Sequence, residues 1–174
     1  MLKKMRRVYY FGYGADREVD MLRAITGHTP KLLGEAVLPG YSLHVQSLKD
    51  ITTRHANPQR ILEENWGKKF KSYVVVPQKN AKVIGNLYQM SLHDRHLIDD
   101  WELVDEGWYC KEFVRVQLRS SGKLYRVETQ VLAAPQKPGQ VVNGAVYKSW
   151  LQPKKLFVSL AKSLRMTSEK ANRA

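Results

Sequence analysis

The stretch from Val83 to Val116, VIGNLYQMSLHDRHLIDDWELVDEGWYCKEFVRV, constrains the fold more than any other part of the chain. Val83 to Met90 sets β-branched and aromatic residues around a glycine, which predicts a strand whose backbone is approached closely at Gly85. Ser91 followed three residues later by Asp94 has the form of a capping box with the shorter acid and marks a helix start. Leu92, Leu97, Ile98 and Trp101 give that helix an apolar side before it passes into a loop rich in Asp and Glu. Tyr109 to Leu118 then alternates as a half-buried strand, with Val114, Val116 and Leu118 on one face and Phe113 out of phase. The unit delivers Glu102 to the end of the helix, where Tyr88, Trp101, Trp108 and Tyr109 are expected around it. Such surroundings suit a carboxyl that carries a proton.

Upstream, Arg7 to Phe11 predicts a strand that runs into the tight turn Gly12-Tyr13-Gly14-Ala15-Asp16. Asp16 is expected to cap a helix over Arg17 to Thr26, with Val19, Leu22 and Ile25 on one side and Gly27 ending it. A glycine turn ahead of a helix can offer backbone N–H groups to a carboxylate or an oxyanion, or can serve only as a corner. Its spacing matches neither the dinucleotide nor the P-loop fingerprint. Lys31 to Val45 reads as two short strands around Pro39-Gly40, and Phe70 to Val76 and Lys82 to Met90 as a pair around Pro77 to Asn80. Gln46 to Lys69 is polar, with a turn at Asn57-Pro58 and a short helix over Gln59 to Asn65; it is either a flap over a site or a surface excursion.

Downstream, Ser120 to Lys123 connects a hairpin to a strand over Leu124 to Leu132, with Tyr125, Val127, Thr129 and Val131 on one face. Ala133 to Gly139 is expected to be loop, and Val141 to Leu151 a short helix turning Tyr147 and Trp150 inward. Pro153 to Arg165 carries Leu156, Phe157, Leu160 and Leu164 at helical spacing beside Lys154, Lys155, Lys162 and Arg165. A basic amphipathic helix can meet a membrane surface or a partner, but packing on its own domain is the expected outcome. Residues 1–152 then form the domain and 153–174 a basic C-terminal helix or tail. Many strands with few helices predict an α+β domain with a mostly antiparallel sheet, open to closure as a barrel.

Charge narrows the function classes. Ten of the thirteen net positive charges lie in residues 1–7 and 148–174, leaving a nearly neutral body. Basic ends on such a body favour solubility over a surface built to grip nucleic acid, although they could meet an anionic partner. Cys110 is the single cysteine, which excludes an internal disulfide and favours a reducing, cytoplasmic compartment. No apolar run is long enough to span a membrane. There is no Gly-x-Ser-x-Gly elbow, Cys110 reads as a buried, inert thiol, and His93 with His96 reads as a solvated helix face without a third metal ligand. Acid–base chemistry without a metal, cofactor or covalent intermediate remains, resting on Glu102, the acids Asp99, Asp100, Asp105 and Glu106, and the glycine turn.

Four of these segments resemble one family. Tyr10 to Asp16 is similar to the Tyr-Gly-Ser-Asn turn that opens the γ-glutamylcyclotransferase-like proteins, and Leu33 to Leu43 to the segment that follows. Val83-Ile84-Gly85-Asn86-Leu87-Tyr88 and Ile98-Asp99-Asp100-Trp101-Glu102 resemble the family's Val-x-Gly-x-Leu-Tyr strand and Leu-Asp-x-x-Glu helix end, with Trp108-Tyr109 where its next strand begins. The resemblance runs from about Val8 to Leu132. It implies a small β-barrel flanked by helices with a cavity at one mouth, in which Glu102 is the acid–base catalyst. It also implies that Gly12, Tyr13, Gly14, Ala15 and Asp16, with Tyr88 and Tyr109, hold a γ-glutamyl group. The reaction implied is attack of the substrate's α-amine on its own γ-carbonyl, giving 5-oxoproline and a free amine. Two positions depart from the pattern: Ala15 stands where a Ser is usual and Asp16 where an Asn is usual. A non-catalytic binding module that meets an anionic partner through its basic ends is the alternative.

Overall fold

The computed structural model describes residues 7–52, 57–142 and 148–171. Its frame is a sheet of β1 (Arg7–Gly12), β2 (Lys31–Ser47), β3 (Lys71–Ser91), β4 (Tyr109–Leu118), β5 (Leu124–Leu132) and β6 (Gln140–Val141), ordered β3-β1-β5-β4-β2-β6. A further pairing of β2 with β3 joins the sheet to itself, so the first five strands close a barrel and β6 lies outside it on β2. Neighbours run antiparallel except β1 and β5, which meet in parallel at Tyr10 and Glu128. This is the mixed, barrel-closed α+β architecture that the sequence predicts. Closure gives most backbone groups of the five strands a partner and leaves little exposed edge.

The two longest strands differ from expectation. Neither Pro39-Gly40 nor Pro77 to Asn80 ends a strand; β2 and β3 each run through. Pro39 pairs with Lys82 and Tyr41 with Pro77, so residues 78–81 bulge out opposite Gly40, which has φ 78°. A bulge uses a proline's missing N–H and a glycine's positive φ as readily as a turn does, and local sequence does not separate the two. The close approach predicted at Gly85 is present: a Cβ there would lie 2.3 Å from the carbonyl oxygen of Gly12.

Among the described residues four α-helices dress the barrel: α1 (Val19–Thr26), α2 (Pro58–Trp66), α3 (Leu92–Trp101) and α4 (Lys154–Ala171). The capping box of α3 forms as expected, Ser91 accepting from the Asp94 N–H at 3.1 Å while Asp94 accepts from the Ser91 N–H at 2.9 Å. The buried side of α3 is shifted from the predicted one. Leu92 is exposed, and Asp94 and Arg95 are buried with Leu97 and Ile98. Residues of α4 bury Phe157 and Ala161 in the cluster that holds Tyr10, Leu22, Tyr88 and Ile98, whereas Leu156 is exposed. The helix expected over Val141 to Leu151 is corrected in its described part, where Val141 belongs to β6 and residues 148–151 are irregular; Tyr147 lies outside the described residues.

Among the described residues three apolar clusters result. One fills the barrel around Phe11, Val75, Leu87 and Val116. The second lies between the barrel wall and α1, α3 and α4, and the third, around Leu62, Phe70, Trp108 and Tyr109, lies by α2. Residues of all three border one cavity.

Candidate active site

The cavity begins at the end of β1. After Gly12 the chain passes through Tyr13 and Gly14 into a 3-10 turn, Ala15–Arg17, and α1 starts only at Val19 with Glu18 as its N-cap. Asp16 therefore does not cap α1. Its side chain is buried and folds back on the turn: Oδ1 accepts from the Gly14 N–H at 3.0 Å, and Oδ2 accepts from the Tyr10 hydroxyl. A buried carboxylate needs donors, and the turn's own amide and the β1 tyrosine supply them.

Glu102 occupies the position after α3, its N–H bonded to Ile98 O at 2.9 Å. It borders the cavity together with Tyr13, Gly14, Ala15, Asp16 and Tyr109. Gly12 and Tyr88 do not border it. Gly12 lies against Gly85, and the Tyr88 hydroxyl donates to Arg17 O at 2.6 Å, tying β3 to the 3-10 turn. Leu62 and Trp66 of α2 form part of the wall, so the helical part of the Gln46 to Lys69 segment borders the cavity rather than leaving it. The cover is aromatic: Trp66 packs at a tilt against Phe157 of α4 with ring centroids 4.5 Å apart and meets Trp101 edge-on at 5.6 Å. The cavity volume is about 40 Å³. That is room for about three waters at 10–15 Å³ each.

Behind the acids lies a polar layer that the sequence did not disclose. Arg95 is fully buried; its Nη1 is 2.7 Å from Asp99 and its Nε 3.1 Å from Glu128. Turned so that both its amide groups are satisfied, Gln130 accepts from Arg95 Nη1 at 2.9 Å and donates to the Tyr10 oxygen at 2.9 Å. Arg95, Gln130, Tyr10 and Asp16 thus form one chain across α3, β5, β1 and the 3-10 turn. The i, i+4 spacing of Arg95 and Asp99 was the available signal, but it marks exposed helix faces as often as buried ones.

This environment sets the acid–base properties. The Glu102 carboxyl is held well above the usual glutamate range, chiefly by burial and then by the Asp16 charge, against the opposing pull of Arg95. The residue is nonetheless half-buried, since it lines the cavity. Burial also raises Asp16, opposed by the Tyr10 hydroxyl, the Gly14 N–H and Arg95. Tyr10, Tyr13 and Tyr109 are all raised well above the ordinary tyrosine value by burial first and by the acids, so they remain hydroxyl donors. Tyr13 donates to Gln130 O at 2.9 Å and Tyr109 to Tyr73 O. The arrangement can hold a proton on one of two adjoining carboxyls in a water-poor space and pass it to a bound group.

Elsewhere, Cys110 is half-buried rather than fully buried, with its thiol raised by burial. His93 and His96 are exposed, and among the described residues no group of three or more His, Cys, Asp or Glu is placed to hold a metal ion. Among them, too, no helix is long and apolar enough to cross a membrane.

No family model matches the sequence, and no curated protein matches it. Solved structures do. A structure described as gamma-glutamyl cyclotransferase shares 15% identity over 97% of this chain and 88% of its own, with a TM-score of 0.61. An uncharacterized protein from Homo sapiens gives the same identity and TM-score over 97% of this chain and 87% of its own. An AIG2-like protein from Mus musculus matches at 14% identity and a TM-score of 0.51, over 86% of this chain and 98% of its own. Identities this low speak to architecture alone, and on architecture they agree: the chain has the γ-glutamylcyclotransferase-like fold.

Proposed function

We propose that this protein is a lactam-forming enzyme of the γ-glutamylcyclotransferase type, with Glu102 as general acid and base, acting in a reducing, cytoplasmic compartment. The observation that carries this reading is one carboxyl of raised pKa facing the same cavity as the Gly14 to Asp16 turn. In the reaction tested first, the α-amine of a γ-glutamyl compound attacks its own γ-carbonyl carbon. The new C–N bond closes the ring, the old C–N bond breaks, and 5-oxoproline and an amine leave. Nucleophile and electrophile share one molecule, so a pocket that folds the substrate gains the advantage of an intramolecular attack. Glu102 takes one proton from the ammonium, returns it to the departing nitrogen and then takes the second from the ring nitrogen, a shuttle that a raised pKa favours.

The test is 5-oxoproline release from a panel of γ-glutamyl peptides and γ-glutamyl amines, with Glu102→Gln as control. Turnover by the wild type and its abolition in a folded Glu102→Gln variant support the reading. No turnover across the panel and across ω-amino amides would leave the binding-module alternative. That alternative draws on the groove between α1 and α4, which Lys154, Lys155 and Lys162 border.

A further inference from the structure

The cavity's charge is unusual for a site that receives an α-carboxylate. Among the described residues its lining contains two carboxylates, Asp16 and Glu102, and no Lys, Arg or His. Arg95, the cation behind it, does not line the cavity and is engaged by Asp99 and Glu128, while Lys111 lies 2.8 Å from the other Asp99 oxygen. The Gly14 N–H, a donor that could receive a substrate carboxylate, is taken by Asp16. Ala15 brings no hydroxyl to the same turn. Both departures from the family pattern therefore act in one direction: each removes a means of holding an anion. What remains is a box in which eight of the fourteen described lining residues are aromatic, Trp66, Trp101 and Trp108 among them. Aromatic faces beside carboxylates recognise organic ammonium groups.

We propose that Asp16 is a specificity determinant that makes this pocket prefer an ω-amino amide, a substrate presenting an ammonium group with no carboxylate on the same carbon, over the corresponding γ-glutamyl amide. This rests on the lactam-forming reading above and names its substrate class. The step balances without a co-reactant. The ammonium gives one proton to Glu102 and its nitrogen forms the new C–N bond at the amide carbonyl carbon; Glu102 gives that proton to the leaving nitrogen as the old C–N bond breaks, then takes the second proton from the ring nitrogen and passes it to the departing amine, which leaves as an ammonium. A 4-aminobutyryl amide thus gives 2-pyrrolidinone and a free amine.

Glutamine and 4-aminobutyramide differ only by the α-carboxylate and are the probes. In titration calorimetry the wild type is expected to bind 4-aminobutyramide at least about tenfold more tightly, the scale of a like-charge contact in a partly screened site. Asp16→Asn should reduce that ratio by about tenfold, and Ala15→Ser should lower it in the same direction. Glutamine binding the wild type as well as 4-aminobutyramide, or neither probe binding, would overturn the proposal. So would an unchanged ratio in a folded Asp16→Asn variant; should that variant not fold, the wild-type ratio and Ala15→Ser decide. Lactam release, followed by NMR, separates the two readings. Preference for 4-aminobutyramide without lactam sinks the enzyme reading alone, whereas 5-oxoproline release with a preference for glutamine sinks only the specificity.

Discussion

Replacing Arg95 with Met tests whether the buried polar layer supports both the fold and the site. Met keeps the length and most of the volume of the side chain, so little cavity is made and the change is mainly electrostatic. Arg95 lies 2.7 Å from Asp99, 3.1 Å from Glu128 and 5.0 Å from the Tyr10 ring centroid, fully out of solvent. Removing one partner of such a buried cluster leaves carboxylates without compensation and costs about 3–5 kcal/mol. For a domain of this length that lowers the melting temperature by about 6–20 °C. The loss also has a pH signature. Arg95 pulls down the pKa values of Glu102 and Asp16, both of which already stand above their ordinary range. Without it they rise further, the folded state binds more protons than the unfolded chain, and stability falls as pH rises. The deficit relative to wild type should therefore be larger at pH 8 than at pH 5, measured by urea unfolding at both. A deficit below about 1 kcal/mol, or one larger at the lower pH, would refute the account of Arg95 as the counter-charge of this site.

Other expectations follow from the same contacts. Glu102 with a raised folded pKa contributes stability that is present below its unfolded pKa and lost as pH rises through the folded one. Glu102→Gln should accordingly match wild type in urea unfolding at pH 4 and exceed it at pH 8; equal stability at both would contradict the raised pKa. At Gly85, a Cβ 2.3 Å from Gly12 O and 2.7 Å from the Phe11 ring must push β1 off β3. Gly85→Ala should then cost about 1–3 kcal/mol or more, and a melting temperature within about 2 °C of wild type would show that the ladder yields freely. Reversing the exposed Lys155 and Lys162 to Glu should shorten retention on heparin in a salt-dependent way without changing the melting temperature. Unaltered retention would remove α4 as the anion-seeking element.

What the chain discloses by itself is whatever depends on neighbours in sequence. The Ser91–Asp94 cap, the burial of Val114, Val116 and Leu118, and the close approach at Gly85 are set by local hydrogen bonds, by the two-residue period of a strand and by the absence of a Cβ. The arrival of Glu102 at the end of α3 follows from the same local rules. Other features were decided only by long-range packing. Asp16 met the pattern of a helix cap, but the Tyr10 hydroxyl and the Gly14 N–H drew it inward and α1 began later. Pro39-Gly40 and Pro77 to Asn80 have turn chemistry, yet pairing of each strand with the other carried both through as bulges. Arg95 belongs to a helix whose sequence places charges on every side. It is buried because Glu128 and Gln130, more than thirty residues away, come to the same point when β5 pairs with β1. Periodicity and capping are one-dimensional properties of a chain; the compensation of a buried charge is decided where distant segments meet.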